Sequence, residues 1–216
     1  MNRRAYFTNK NIDRVSLEML RSLQRRKLVH GNLKINHDRV ALLVLDMQKY
    51  FFDQKSHAYI PSGQAIIPVI NNLIKYFSSL QLPIIFTKHF NEPETAGMMG
   101  TWWKELIDRN SSEADLIDEI DATKGTLIYK EHYDAFWNSN LDIMLKDKDV
   151  RQVLITGVMT HLCCESTARA AFIRNYQVFF AVDGTATYSQ DMHLASLLNL
   201  AHGFVKPVLS NEVLGE

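Results

Sequence analysis

Thiols are scarce in this chain. There are two, Cys163 and Cys164, and they stand side by side. Neighbouring Cα atoms lie ~3.8 Å apart across a trans peptide, below the ~4.4–6.8 Å usual for a disulfide, so the pair is not expected to bridge. No CxxC pair is present, and two thiols are too few for a thiolate zinc site. A free thiol is left, which is either a small buried apolar residue or a reactive group. Net charge is also lacking, since 24 Lys and Arg balance 24 Asp and Glu. A neutral chain has no long-range field to gather nucleic acid or an anionic membrane, so neither is expected as a partner. No apolar run reaches the ~18 residues that would span a bilayer. The first residues, MNRRAYFTNKNIDRVSLEML, carry no apolar h-region, so a secretory signal is not expected and a cytoplasmic protein is. Internal repeats and low-complexity segments are absent too.

Apolar residues make up 46% of the 216, enough for a sizeable core in one domain or a domain with an arm. The chain alternates short β-branched runs with longer helical patterns. RVALLVLD is a continuous apolar run ending at Asp46, as expected of a strand buried on both faces. Ile66, Ile70, Leu73, Ile74 and Phe77 then share a helical face. LPIIFTKH, TLIYK, VRQVLITGV and QVFFAVDG read as further strands. NSNLDIMLKDKD, CESTARAAFIRNY and DMHLASLLNLAHG read as helices, the last closed by Gly203 as a C-cap. FVKPVL reads as a final edge strand, where Pro207 is tolerated. The expected fold is α/β: a doubly wound, mostly parallel sheet with helices on both faces, a three-layer αβα, Rossmann-like arrangement.

Residues 1–38 stand outside this alternation as an N-terminal arm. Leu17, Leu20 and Leu23 predict a short helix after Ser16, followed by basic RSLQRRK. That charge could serve RNA, but overall neutrality favours a helix packed on the domain or on a neighbouring subunit.

In doubly wound sheets ligands bind beyond the carboxyl ends of the strands. Asp46 ends the first strand, Lys130 ends the third, and Cys163 follows the fourth by a short turn, so the three are expected to meet in one crevice. Taken singly, an Asp at a strand end is often a turn residue and a Lys there is usually solvated. Together they are a nucleophile, an acid/base and a cation. The first turn of a helix and Lys130 should both lower the Cys163 pKa. Asp46 could take the thiol proton and pass it to a leaving amine. Cys164 lines up with Ala168, Ala171 and Phe172 on a buried helical stripe, which leaves Cys163 facing the crevice.

These stretches resemble the isochorismatase-like (cysteine hydrolase) superfamily. The likeness is carried by ALLVLDMQKYFFD around Asp46, LIYKEHYDAF around Lys130, and ITGVMTHLCCESTARAAF around Cys163. The last fits G-V-x-T-x-x-C followed by T-A, with Gly157, Val158, Thr160, Cys163, Thr167 and Ala168 in those places. The resemblance covers the chain from about Arg39 to its end. It implies a hydrolase domain over 39–216 with a six-stranded parallel sheet and an Asp46–Lys130–Cys163 triad. It also implies a cis peptide at Val158–Met159, beside an oxyanion site that uses the backbone N–H of Cys163. Acyl transfer is the implied reaction, with Cys163 attacking a carbonyl and water resolving the thioester. Nicotinamidases of the superfamily carry a metal site that begins with Asp-x-His after the second strand. Here that place reads FTKHFNE, so neither a metal nor any other cofactor is expected, and nicotinamide is disfavoured as substrate. Isochorismatases of siderophore and phenazine synthesis have glycine where Cys163 stands.

Strand-end geometry offers Phe51, His89, Trp102, Trp103, Tyr133, Phe136 and His161 as lining for a small, flat or partly apolar substrate. The paired tryptophans could equally belong to a subunit interface, and a homo-oligomer is expected. The reading is a hydrolase of amide-like C–N bonds in a small molecule. Isochorismate hydrolysis by Asp46 and Lys130 is the alternative, and a binding module without turnover is an alternative of another class.

Overall fold

The structure is a computed structural model that describes residues 4–28, 33–103 and 105–215. The ends of the arm and hydrolase segments at positions 1 and 216 lie outside the described residues, as do 29–32 of the arm. In chain order the helices are α1 (Ile12–Arg25), α2 (Lys49–Phe52), α3 (Gly63–Ser79), α4 (Met98–Trp102), α5 (Leu141–Asp147), α6 (Glu165–Ile173), α7 (Gln190–Gly203) and α8 (Ser210–Leu214). The strands are β1 (Val40–Leu45), β2 (Ile84–His89), β3 (Thr126–Lys130), β4 (Gln152–Val158), β5 (Gln177–Ala186) and β6 (Lys206–Val208).

All six strands pair in parallel, in the order β3-β2-β1-β4-β5-β6. The chain lays down β1, β2 and β3 in one direction, then returns to place β4 on the other side of β1. That reversal opens a crevice beyond the carboxyl ends of β1 and β4. Every residue of β1 and β4 is buried, so their unbroken apolar sequence follows from having helices on both faces. β6 is an edge strand, and Pro207 sits in it without costing an interior ladder bond.

Gly157 shows why one residue type is required. It pairs with Leu45 at φ +105°, and a Cβ there would stand 2.0 Å from the Leu45 carbonyl oxygen. Only glycine lets β4 lie this close to β1 just before Asp46 emerges. Asp46 itself adopts φ +51°, a left-handed conformation that aspartate tolerates better than most side chains. Thr87 of β2 holds it there, since its Oγ1 accepts from the Asp46 N–H at 3.0 Å and donates to Oδ1.

Three local expectations need correction. The first helix begins at Ile12 rather than after Ser16. Ser16 lies on its buried face, with Oγ donating to the Ile12 carbonyl at 2.7 Å. Val15, Met19 and Leu23 of this helix join the same core as the sheet, against β5 and α7. Gly203 is the last residue of α7 and Phe204 caps it, without a left-handed glycine. Phe172 is exposed, because the stripe of Cys164, Ala168 and Ala171 leaves the core at that point. Among the described residues, the long segment between β2 and β3 holds α4 and two 3₁₀ turns, at Ser112–Ala114 and Ala122–Lys124.

Candidate active site

The three residues at the strand ends meet. Lys130 Nζ lies 2.7 Å from Asp46 Oδ2 and 3.2 Å from Cys163 Sγ, and the Asp46 and Lys130 side chains are wholly buried. Lys130 reaches Asp46 from two strands away, past His89, its register partner on β2. The third ammonium proton goes to the His132 carbonyl at 3.0 Å. Cys163 follows β4 through a wide π-helical turn, Thr160–Cys164, that runs straight into α6. The Val158–Met159 peptide that enters this turn is cis. Cys164 points the other way, wholly buried, with Sγ 3.9 Å from the Thr156 carbonyl.

The electrostatics run against one expectation. The Cys163 thiol is pushed up to about 12, not down. Burial is the main cause, the Asp46 carboxylate adds to it, and Lys130 only partly offsets them. Burial also works against the Lys130 charge, but Asp46 and Cys163 outweigh it and hold the ammonium above its ordinary value. The resting thiol is therefore neutral, beside the Lys130–Asp46 ion pair. Asp46 Oδ2 meets the Lys130 ammonium as an ion pair at 2.7 Å, which occupies one of its two lone pairs. One lone pair is thus left for a proton.

His89 is neutral, since burial and the neighbouring Lys130 push its imidazole down to about 3. Its tautomer follows from Asn91, whose Nδ2 donates to the Glu131 carbonyl and so turns Oδ1 toward His89. His89 Nε2 therefore carries the hydrogen, and Nδ1 faces the Lys130 ammonium at 3.5 Å. This arrangement does not fit a metal site of the kind nicotinamidases carry after the second strand. One His nitrogen is committed to an amide and the other looks at a cation. No three His, Cys, Asp or Glu among the described residues cluster as ligands.

A partly open cavity leads onto Cys163. It is lined by four of the residues expected from the sequence: Phe51, His89, Trp103 and Tyr133. Trp103 Nε1 donates to the Tyr133 hydroxyl at 2.7 Å, which fixes both rings. Met159 lines it as well. Three expected residues lie elsewhere. Trp102 is 74% exposed, because only one of two consecutive bulky residues can face inward as α4 ends. Phe136 is buried in the core, stacked on Tyr176 at 5.8 Å with the Arg174 guanidinium over its ring. His161 turns toward the β5–α7 connection, where Nδ1 meets Thr187 Oγ1 at 2.6 Å. The sequence reading missed Tyr50, His57, Asn91, Glu105 and Tyr188 in the lining, and Thr87 behind Asp46. Asn91 had a signal, being two residues beyond His89 at the strand period, and Tyr50 stands next to Phe51. His57 and Glu105 had none, since 48 residues separate them.

The isochorismatase domain family matches residues 40–212. The chain belongs to the isochorismatase family. It is 35% identical to Nicotinamidase 3 of Arabidopsis thaliana over 177 residues, which is 78% of this chain and 84% of that protein. It is 31% identical to Enterobactin synthase component B of Escherichia coli (strain K12) over 179 residues, or 82% of this chain, and spans 62% of that protein's length. The crystal structure of a cysteine hydrolase from Pseudomonas syringae pv. phaseolicola 1448A superposes with a TM-score of 0.80 at 25% identity, covering 85% of this chain and 94% of that one. The protein is thus an enzyme of the isochorismatase-family cysteine hydrolases with the α/β fold of that family. No helix among the described residues is long and apolar enough to cross a membrane.

Proposed function

We propose that this isochorismatase-family hydrolase cleaves the C–N bond of a small, flat carboxamide through a thioester on Cys163. One observation carries the reading: a buried ammonium touches both a carboxylate and a thiol at the floor of an aromatic-lined cavity. The likeness to a nicotinamidase supports an amide as the substrate class.

The resting thiol cannot attack while it keeps its proton, and Asp46 Oδ2 has the lone pair to take it. As the sulfur–carbon bond forms, the thiol proton moves to Asp46 and the carbonyl oxygen takes the negative charge. Collapse of this adduct breaks the C–N bond, and Asp46 gives its proton to the departing nitrogen, so ammonia leaves. Water then attacks the thioester carbonyl, again losing its proton to Asp46. The acid departs, and the proton returns to sulfur. Lys130 stays charged throughout. It holds Asp46 in place and stabilises negative charge on sulfur in a dry site, where that interaction is strong.

A panel of amides, ureides and isochorismate assayed on wild type and Cys163→Ala in parallel tests this reading. The expected result is amide turnover by wild type, an acyl adduct on Cys163 in the intact mass, and neither in the variant. Unimpaired amide turnover by Cys163→Ala overturns it. A second reading, vinyl-ether hydrolysis of isochorismate, is supported by the family match and needs only Asp46 and Lys130. It is favoured if the variant keeps activity on isochorismate alone.

A further inference from the structure

The cavity wall holds a second polar cluster that the reaction above does not use. His57 lies in the segment after α2 and Glu105 in the segment after α4, and both line the cavity. His57 Nδ1 lies 3.0 Å from Glu105 Oε2 and 2.9 Å from the Tyr50 hydroxyl. A carboxylate can only accept, so the hydrogen must sit on Nδ1, forked between Glu105 and the Tyr50 oxygen. The tautomer is thereby fixed by protein groups outside the ring. Whenever the ring is neutral, Nε2 is the lone-pair nitrogen, and it has no hydrogen-bond partner among the described residues. Two aromatic rings flank it: Trp103 packs 6.4 Å from the His57 ring, and Tyr50 meets it edge-on at 5.8 Å. Glu105 is half exposed while His57 is largely covered, so the carboxylate acts on the ligand through the imidazole.

We infer that His57 Nε2 is a specificity reader, selecting carboxamides that carry a hydroxyl or N–H donor away from the scissile group, with Glu105 as its positioning residue. This rests on the amide reading of the Cys163 site and names the substrate class within it. A wall built to accept one hydrogen bond discriminates against an analogue that lacks the donor, because Nε2 is then stripped of water without compensation. Metal or charge recognition is not needed for this selection.

The test compares hydroxybenzamides with the matching fluorobenzamides, which keep the shape and lose the donor. All assays run at one pH, about 8.5. Wild type should favour the hydroxyl compounds by roughly three- to tenfold in kcat/KM, mostly through KM. His57→Phe should reduce that ratio to about one while still cleaving the fluoro compounds. Glu105→Gln unpins the ring, because a side-chain amide can donate or accept. It should shrink the preference and move the His57 ring ¹⁵N shifts away from the pure Nδ1–H pattern. A wild-type ratio near one, or a preference unchanged in His57→Phe, overturns the inference while leaving the amide reading intact. If wild type cleaves none of these amides, the amide reading fails on these probes. Calorimetric binding to Cys163→Ala then decides the inference separately: tighter binding of the hydroxyl compounds sustains it, and equal binding overturns it.

Discussion

In the middle of β1 and β4, Ala41, Leu43, Leu154 and Ile155 are fully buried among other apolar side chains. A few residues further along the same strands the surroundings are just as dry, but the side chains are Asp46 and, past the turn, Cys163. In the middle, burial is stabilising on its own account. At the rim, burial is costly unless the carboxylate is answered, and Lys130 pairs with Asp46 while also donating to the Cys163 sulfur. The same water exclusion that holds the sheet together therefore raises the Cys163 thiol and strengthens its coupling to Asp46 and Lys130. The two cysteines make the contrast at single-residue scale: Cys164 belongs to the middle and Cys163 to the rim.

Substitutions at the two cysteines separate these regions most sharply. Cys163→Ala should lower amide turnover by about a thousandfold or more with little change in melting temperature. Cys164→Ala should keep turnover and lose about 1 kcal/mol of stability, read by urea unfolding. Lys130→Met comes next. It leaves Asp46 buried and uncompensated, so about 3–5 kcal/mol of stability should go together with activity. Leu43→Ala, in the middle, should cost a similar ~2–5 kcal/mol by a different route, an empty cavity. The two are told apart by pH, since only the Lys130→Met loss should shrink as the medium becomes acidic enough to protonate the carboxylate.

A subtler effect concerns the thiol. Asp46 raises the Cys163 pKa, so Asp46→Asn should lower it and speed alkylation by iodoacetamide at about pH 8, even as turnover is lost. Lys130→Met should slow alkylation, because the cation opposes the rise. Slower alkylation of Asp46→Asn would contradict the electrostatic account. The smallest effect is a pH dependence of stability. His89 and His193 are held neutral by burial, each pushed down to about 3. Between about pH 6.5 and about 3 the unfolded chain takes up protons at these rings that the native protein refuses. Stability should therefore fall as pH falls through that window, as measured by urea midpoints. By contrast, Arg14→Ala breaks only the exposed pair with Glu18 and should stay within about 0.5 kcal/mol.

Much of the strand pattern was legible because strands buried on both faces must be apolar throughout, as β1 and β4 are. The positions of Asp46, Lys130 and Cys163 were legible because a parallel sheet puts its crevice at the carboxyl ends. Gly157 was legible as part of a motif, but its reason, the 2.0 Å approach to Leu45, belongs to the pairing of two strands. Trp102 and Trp103 look alike in sequence, and only the end of α4 decides which of them faces the cavity. Phe136 is a strand-end aromatic that packs into the core instead, on Tyr176, a partner 40 positions away that no local pattern announces.

The sequence by itself determined the period of each element, the sheet they must form and the chemical types at its carboxyl edge, because these depend on local hydrophobic spacing. Only the tertiary structure decided that the Cys163 thiol is raised rather than lowered, that His89 is neutral, and that His57 is pinned by Glu105. Protonation and tautomer depend on solvent exclusion and on neighbours brought from distant segments, and neither exists until the chain has closed around the site.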